Sequence, residues 1–412
     1  MNKINSVSLL HFLSAALLCV YPIATIYLLP IGNTINYGYI VLGLIVLINV
    51  LFNKQRLRID LHLIILPFIL LPFVFISDFA YYNDFSHFLK SAVDLIYHFL
   101  VVSLICGSKM IQRKKLYYTH AVFSCIAIGF ALVQLLAHRM FGVNIPGIIP
   151  FLHPSHNQSL WMVSIGRVPS FFSEPAHYAI YLCPFLFFSL SWKKIPFAIV
   201  ASIGLITTLS ATGIALLLFV WLLHFALRLY KKTRVGFGVF LLCLVLAVPF
   251  VLLIIPLLPN GQIKTQLQKF SFENLMNNER AFSTLRYFQY FSFPNWLTGI
   301  GYNRLGDWGN LYNLSGLNNY APSPLYCVFS FGLLGAASLL WLYLFAFKNS
   351  SVTNRCFLIM MLIIMMSDQM IFVYTFFFLL CYAESGFYKR ALWGGIVVTD
   401  RGPYSLKGVY CL

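Results

Sequence analysis

Residues 60–79 read DLHLIILPFILLPFVFISDF. Asp60 and Asp78 bound a run without an ionised side chain, and a hydrocarbon layer about 30 Å thick requires a run of about 20 such residues from a crossing helix. Working outward, comparable runs lie at 8–30, 38–53, 88–106, 117–137, 175–191, 196–209, 211–227, 236–258, 323–347, 356–371 and 373–388. Together they predict an all-α polytopic membrane protein with about twelve transmembrane helices. Composition agrees. The 412 residues are 60% hydrophobic and 9% charged, with a mean hydropathy of +0.82, whereas a soluble domain carries about a quarter charged residues.

The organisation that follows is helices 1–5 over 1–137, a first long polar segment at 138–174, helices 6–9 over 175–258, a second at 259–322, helices 10–12 over 323–390 and a tail at 391–412. The apolar run from Val7 behind Lys3 reads as an uncleaved first helix. The nine cysteines are scattered singly, mostly within apolar runs, with no CxxC; they read as small buried hydrophobes.

The formal charge of +17 sits in short clusters between apolar runs, such as Arg113-Lys114-Lys115. That is a topology signal rather than a nucleic-acid stripe, and no nucleic-acid partner is expected. Twenty of the 28 Lys and Arg fall on alternate connections that include both termini, and eight fall on the other set, which holds both long polar segments. The positive-inside rule puts both termini in the cytoplasm and makes the long segments outward-facing loops. No Walker lysine loop or GxGxxG is present, so chemistry belongs on the outer face, with substrates that arrive already activated.

Three constellations carry candidate chemistry. Arg167-Val168-Pro169-Ser170-Phe171-Phe172-Ser173-Glu174-Pro175-Ala176-His177-Tyr178 lies where the first loop re-enters the membrane. Pro175 predicts a helix start capped by Ser173 or Glu174, with His177 on the same face as Glu174. The plain reading is a cap with an arginine partner; the functional one is an acid, a base and a guanidinium poised for phosphate-linked lipid chemistry. In the second loop, Glu279, Ser283 and Arg286 fall on one helical stripe beside Leu275, Phe282, Leu285 and Phe288, as in a helix lying in the interface. Arg280 and Arg286 there would touch ordinary headgroups or clamp a diphosphate. The stretch from Leu297 to Pro324, rich in Gly, Asn and Tyr, offers amides beside flat aromatic faces; Arg304, Asn319 and Tyr320 are its glycan-binding candidates.

Lesser candidates are Lys90, Asp94 and His98, spaced by four, where a Lys90–Asp94 ion pair is expected, and Asp368, a buried contact or an interfacial group. His153 and His156 make half a metal site without a second pair, so neither a metal nor another cofactor is expected.

Arg167, Ser170-Phe171-Phe172-Ser173-Glu174-Pro175-Ala176-His177-Tyr178-Ala179, Thr207-Thr208-Leu209-Ser210-Ala211-Thr212-Gly213, Ser283 with Arg286, Gly299-Ile300-Gly301 and Phe331-Gly332-Leu333-Leu334-Gly335 follow one another in an order that resembles the O-antigen and capsule repeat-unit polymerases (Wzy-type), part of a wider polymerase and ligase family. The resemblance covers about 165–340. It implies a GT-C-like fold and a glycosyltransferase that moves a growing glycan from undecaprenyl diphosphate onto the next lipid-linked unit, building O-antigen, capsule or exopolysaccharide. On it, Arg167, Arg280 and Arg286 hold diphosphates while Glu174, with His177, orients or deprotonates the acceptor hydroxyl. The implied partners are undecaprenyl-diphosphate-linked oligosaccharides, the lipid bilayer and a chain-length regulator. The ligase that attaches finished glycan to lipid A core is an alternative, but its histidine is missing from Gly316-Leu317-Asn318-Asn319-Tyr320-Ala321. A flippase or secondary transporter is the alternative from another class; it should carry paired halves and charged midplane helices, whereas polar residues here concentrate in two loops.

Overall fold

The computed structural model describes residues 3–30, 35–53, 57–155, 166–233, 285–314 and 321–385. The expected span 236–258 lies outside these, as do His156, Glu279, Arg280, Ser283, Asn319 and Tyr320. Within them the protein is mostly helical. The helices are α1 (Lys3–Ala24), α2 (Tyr37–Asn53), α3 (Leu61–Ser77, continued by a π turn Asp78–Tyr82), α4 (Phe85–Gly107), α5 (Arg113–Phe141), α6 (Pro175–Ser191), α7 (Ile195–Thr207), α8 (Ala211–Thr233), α9 (Phe293–Thr298), α10 (Leu305–Leu311), α11 (Ser323–Lys348), α12 (Val352–Ser367) and α13 (Tyr374–Glu384). Two short strands, Tyr27–Leu28 and His153–Pro154, pair antiparallel and tie the first polar segment to the end of α1.

Helix bounds follow the apolar runs closely, because inside a bilayer every backbone N–H and C=O must be paired within its own segment. Among the described residues, five stretches are long and apolar enough to cross a membrane: Leu61–Tyr82, Phe85–Gly107, Arg113–Phe141, Ala211–Arg228 and Ser323–Lys348. The second polar segment departs from a plain loop, since α9 and α10 form within it.

The core centres on α6, which packs against α5, α7, α8, α12 and α13. Its sequence PAHYAIYLCPFLFFSLS is apolar all round, as a helix enclosed on every side must be. At one end of the bundle Arg113 acts as a clasp. Its guanidinium donates to Asn354 of α12 at 2.6 Å and to the carbonyls of Tyr382 and Ala383 of α13 at 2.8 and 3.0 Å, and it lies over Phe188 of α6. Lys115 reaches back from α5 to Ser8 of α1 at that same end. The opposite end holds the starts of α4, α6, α11 and α13 and carries the candidate residues.

α11 breaks at Gly332 (φ 66°, ψ −174°), and the segment after α9 fits into the break. A Cβ on Gly332 would stand 2.2 Å from the Leu297 carbonyl oxygen, and one on Gly299 (φ +80°) would stand 2.5 Å from the Phe331 nitrogen. The break frees the Phe329 carbonyl, which accepts from the Ile300 N–H at 2.6 Å. Irregular backbone at this depth survives because it is covered by protein. The Gly299-Ile300-Gly301 and Phe331-Gly332 motifs therefore touch.

One expectation is corrected. Lys90 is exposed, and Asp94 is held instead by the hydroxyl of Tyr39, by Tyr302 at 3.1 Å and by His98 at 3.1 Å. Spacing by four places residues on one face but says nothing of partners from other elements.

Gly332→Ala should lower the thermal stability of the detergent-solubilised protein by several degrees, since both a strained φ and a clash follow, about 1–3 kcal/mol for the backbone alone. An unchanged melting temperature would contradict this interlock.

Candidate active site at one end of the bundle

The segment 166–174 is irregular yet mostly buried, with Val168, Ser170, Phe172 and Ser173 sealed inside. Ser170 turns it, with φ at +54°. Gln134 of α5 receives the Ser170 N–H at 2.9 Å, and the Ser170 hydroxyl donates to the Ala127 carbonyl at 2.8 Å. The chain thus reaches α6 on a rigid approach. Pro175 opens α6, and Glu174 occupies the N-cap position in extended geometry without a side-chain capping bond. Its half-buried carboxylate has no hydrogen-bond partner among the described residues. A carboxylate at a helix start is favoured by the backbone dipole.

One turn on, His177 is gripped at a single nitrogen. Nδ1 lies 2.9 Å from the Ser173 hydroxyl and 2.8 Å from the Tyr374 hydroxyl, and the Tyr374 ring stands edge-on to the imidazole. Tyr374 opens α13, and the carboxylates of Glu174 and Asp368 are close enough to act on its phenol electrostatically. Asp368 ends α12 and is buried; its backbone carbonyl accepts the Ser323 N–H and hydroxyl at 3.2 and 2.8 Å, joining α12 to the start of α11.

Arg167 lies near the start of the same irregular segment. Its Nε donates to the carbonyl of Leu209 at 3.1 Å, in the left-handed turn between α7 and α8. Hydroxyls of Thr208 and Ser210 bond each other at 3.0 Å in that same turn. Arg286 belongs to a different wall. It is exposed, while the next two residues anchor it: Tyr287 is buried, and Phe288 stacks on Phe329 of α11 at 4.2 Å. Among the described residues no carboxylate pairs with Arg286.

Arg304 lies elsewhere and is saturated. Its guanidinium meets Asp78 at 2.9 Å, Asp84 at 2.9 Å and Asp307 at 2.8 Å and lies 4.4 Å from the Tyr82 ring centre. Arg304 is 6% exposed and Asp78 fully buried, and His87 adds a contact to Asp78 at 3.2 Å. Burial opposes the charge of Arg304, but the hydrogen bonds of Asp307, Asp84 and Asp78 outweigh it and raise its pKa. The backbone N–H of His87, followed by the Arg304 guanidinium, lowers the Asp84 carboxyl from 3.8 to about 2.

The structure therefore brings Glu174 and His177 together with Tyr374, Ser173 and Asp368, and ties Arg167, at the start of the same segment, to the turn between α7 and α8. It separates Arg286 and Arg304 onto the second segment. Tyr374 was not legible as a site residue, because it lies 197 positions from its partner and follows no motif. No protein-family model matches the chain, and no curated protein matches it in sequence.

Removing Arg304 as Arg304→Met leaves Asp78 buried without its cation and should cost about 3–5 kcal/mol of stability. Because the folded pKa of Asp84 is depressed, its contribution is present above 3.8 and lost as pH falls towards about 2. Melting curves of the wild type should fall across that window, and those of Asp84→Asn should start lower and change less.

Proposed function

We propose that this protein is a polymerase that joins glycan repeat units carried on a polyprenyl diphosphate, at the outer face of a bacterial inner membrane. The observation that carries the reading is the meeting of Glu174, a carboxylate without a hydrogen-bond partner among the described residues, with the His177–Tyr374 pair at the end of the bundle opposite the Arg113 clasp. On this reading the chain has about twelve spans in a GT-C-like arrangement, both termini are cytoplasmic, and the two long polar segments are periplasmic.

The terminal hydroxyl of the acceptor unit attacks the anomeric carbon of the growing glycan. As the new C–O bond forms, the bond to the diphosphate breaks and the lipid diphosphate leaves with the electron pair. Glu174 takes the hydroxyl proton and passes it to water. The donor carries the energy, so no nucleotide is consumed. Arg167 holds one diphosphate beside Glu174, and Arg286, exposed and without a carboxylate partner among the described residues, holds the other together with Arg280. Arg304 keeps the second segment in place and, with its five N–H donors facing three carboxylates, has little left to offer a sugar. Asn319 and Tyr320 remain the glycan contacts of this proposal.

Deleting the gene and complementing it tests the reading. Loss of the polymerase should collapse the surface polysaccharide ladder to a single repeat. Wild type should restore the ladder, while Glu174→Ala and Arg167→Ala, inserted at normal levels, should not. A ladder unaffected by deletion would exclude polymerisation, and a surface lipid with no repeat attached would favour the ligase.

A further inference from the structure

Two hydroxyls converge on one nitrogen of His177. Nδ1 lies 2.9 Å from Ser173 Oγ and 2.8 Å from the Tyr374 oxygen. A neutral imidazole has one lone-pair nitrogen and one N–H, and the hydrogen bond at one nitrogen decides which is which. Of the two hydroxyls the phenol is the stronger donor, since tyrosine ionises near 10 and an alcohol far less readily. Glu174 and Asp368 act on that phenol only through space, so neither draws its proton away from the ring. A phenol proton directed at Nδ1 requires the lone pair there and leaves the ring proton on Nε2. Nε2 has no hydrogen-bond partner among the described residues, and the side chain is only half-buried.

We propose that Tyr374 is a positioning residue that locks His177 in its Nε2–H tautomer, so that the site presents a neutral hydrogen-bond donor beside the Glu174 carboxylate. Resting on the polymerase reading above, this divides the labour. Glu174 alone accepts the proton of the attacking hydroxyl. His177 makes and breaks no bond; its Nε2–H faces a phosphate oxygen of the departing lipid diphosphate, where negative charge builds as the C–O bond breaks. A fixed donor aimed at developing charge is worth about 100- to 1,000-fold in rate. A base at Nε2 would need the opposite tautomer, which the Tyr374 hydroxyl disfavours.

Two measurements on the full-length protein test this. The first is the solid-state spectrum of 15N-histidine-labelled protein in bilayers at mildly alkaline pH, differenced against His177→Gln to isolate one ring. The wild type should show the proton on Nε2, and Tyr374→Phe should yield a mixture of tautomers; a proton on Nδ1 in the wild type would overturn the proposal. The second is the chain-elongation rate of membranes supplied with polyprenyl-diphosphate-linked repeat units. His177→Gln, whose amide N–H lies near the place of Nε2–H, should retain activity within about tenfold, whereas His177→Asn should lose about 100-fold. Tyr374→Phe should slow the wild type and cost nothing further in His177→Gln. Equal losses in both backgrounds, or better rescue by Asn than by Gln, would overturn the assignment. Wild-type membranes that elongate nothing would sink the polymerase reading itself, while the spectrum still decides whether Tyr374 sets the tautomer.

Discussion

Burying a guanidinium costs several kcal/mol unless each of its faces finds a partner, and Arg304 meets that condition with carboxylates from three places in the chain. Asp78 comes from the π turn after α3, Asp84 from the start of α4, and Asp307 from its own helix α10. The position of the described part of the second segment, 285–314, follows from this one contact set. Ser77, next to Asp78, donates to the Gly299 carbonyl at 3.2 Å, and Tyr302 reaches down to Asp94 of α4. Gly299 then lies against the break in α11, and the ring of Phe288 stacks on Phe329 to carry Arg286. If Arg304 is removed, the segment loses the anchor that sets its depth.

This dependence on polar contacts and close backbone approach has a general cause. Between helices in lipid there is little hydrophobic force, since acyl chains are as apolar as leucine; packing and hydrogen bonds hold the bundle together. The described helices meet that requirement at both ends, through the Arg113 clasp at one and the Arg304, Asp368 and His177 contacts at the other. The apolar faces between them are exposed, as with Leu61, Phe68, Val122 and Trp341, and suit an acyl surround. A rigid frame of this kind lets an irregular segment such as 166–174 hold Glu174 without a capping bond, leaving its carboxylate available.

How much of this was legible in the sequence divides along the range of the interactions. The helices follow from apolar runs and from Pro175, which are local signals, and Pro175–Ser191 falls where the run 175–191 places it. Glu174 and His177 were nominated by spacing on one helix face. Partners drawn from other elements were not legible. Asp94 was matched with Lys90 by spacing, although the hydroxyls of Tyr39 and Tyr302 and the ring of His98 hold it. Arg304 read as a glycan-binding candidate, because two of its three carboxylates, Asp78 and Asp84, lie 226 and 220 residues away. Tyr374 gave no signal at all. Gly299 and Gly332 stand as separate landmarks in the sequence, and the close approach of their backbones emerges only in the fold.

The central claim, that bond formation is driven by the lipid diphosphate at the Glu174 end of the bundle, is tested most directly by stoichiometry. Purified protein in liposomes, given polyprenyl-diphosphate-linked repeat units and no nucleotide, should lengthen glycans and release one polyprenyl diphosphate for each linkage made. Glu174→Gln protein of equal fold and amount should release almost none. Movement of intact lipid-linked units across the bilayer without linkage, or release of diphosphate without chain growth, would contradict the account.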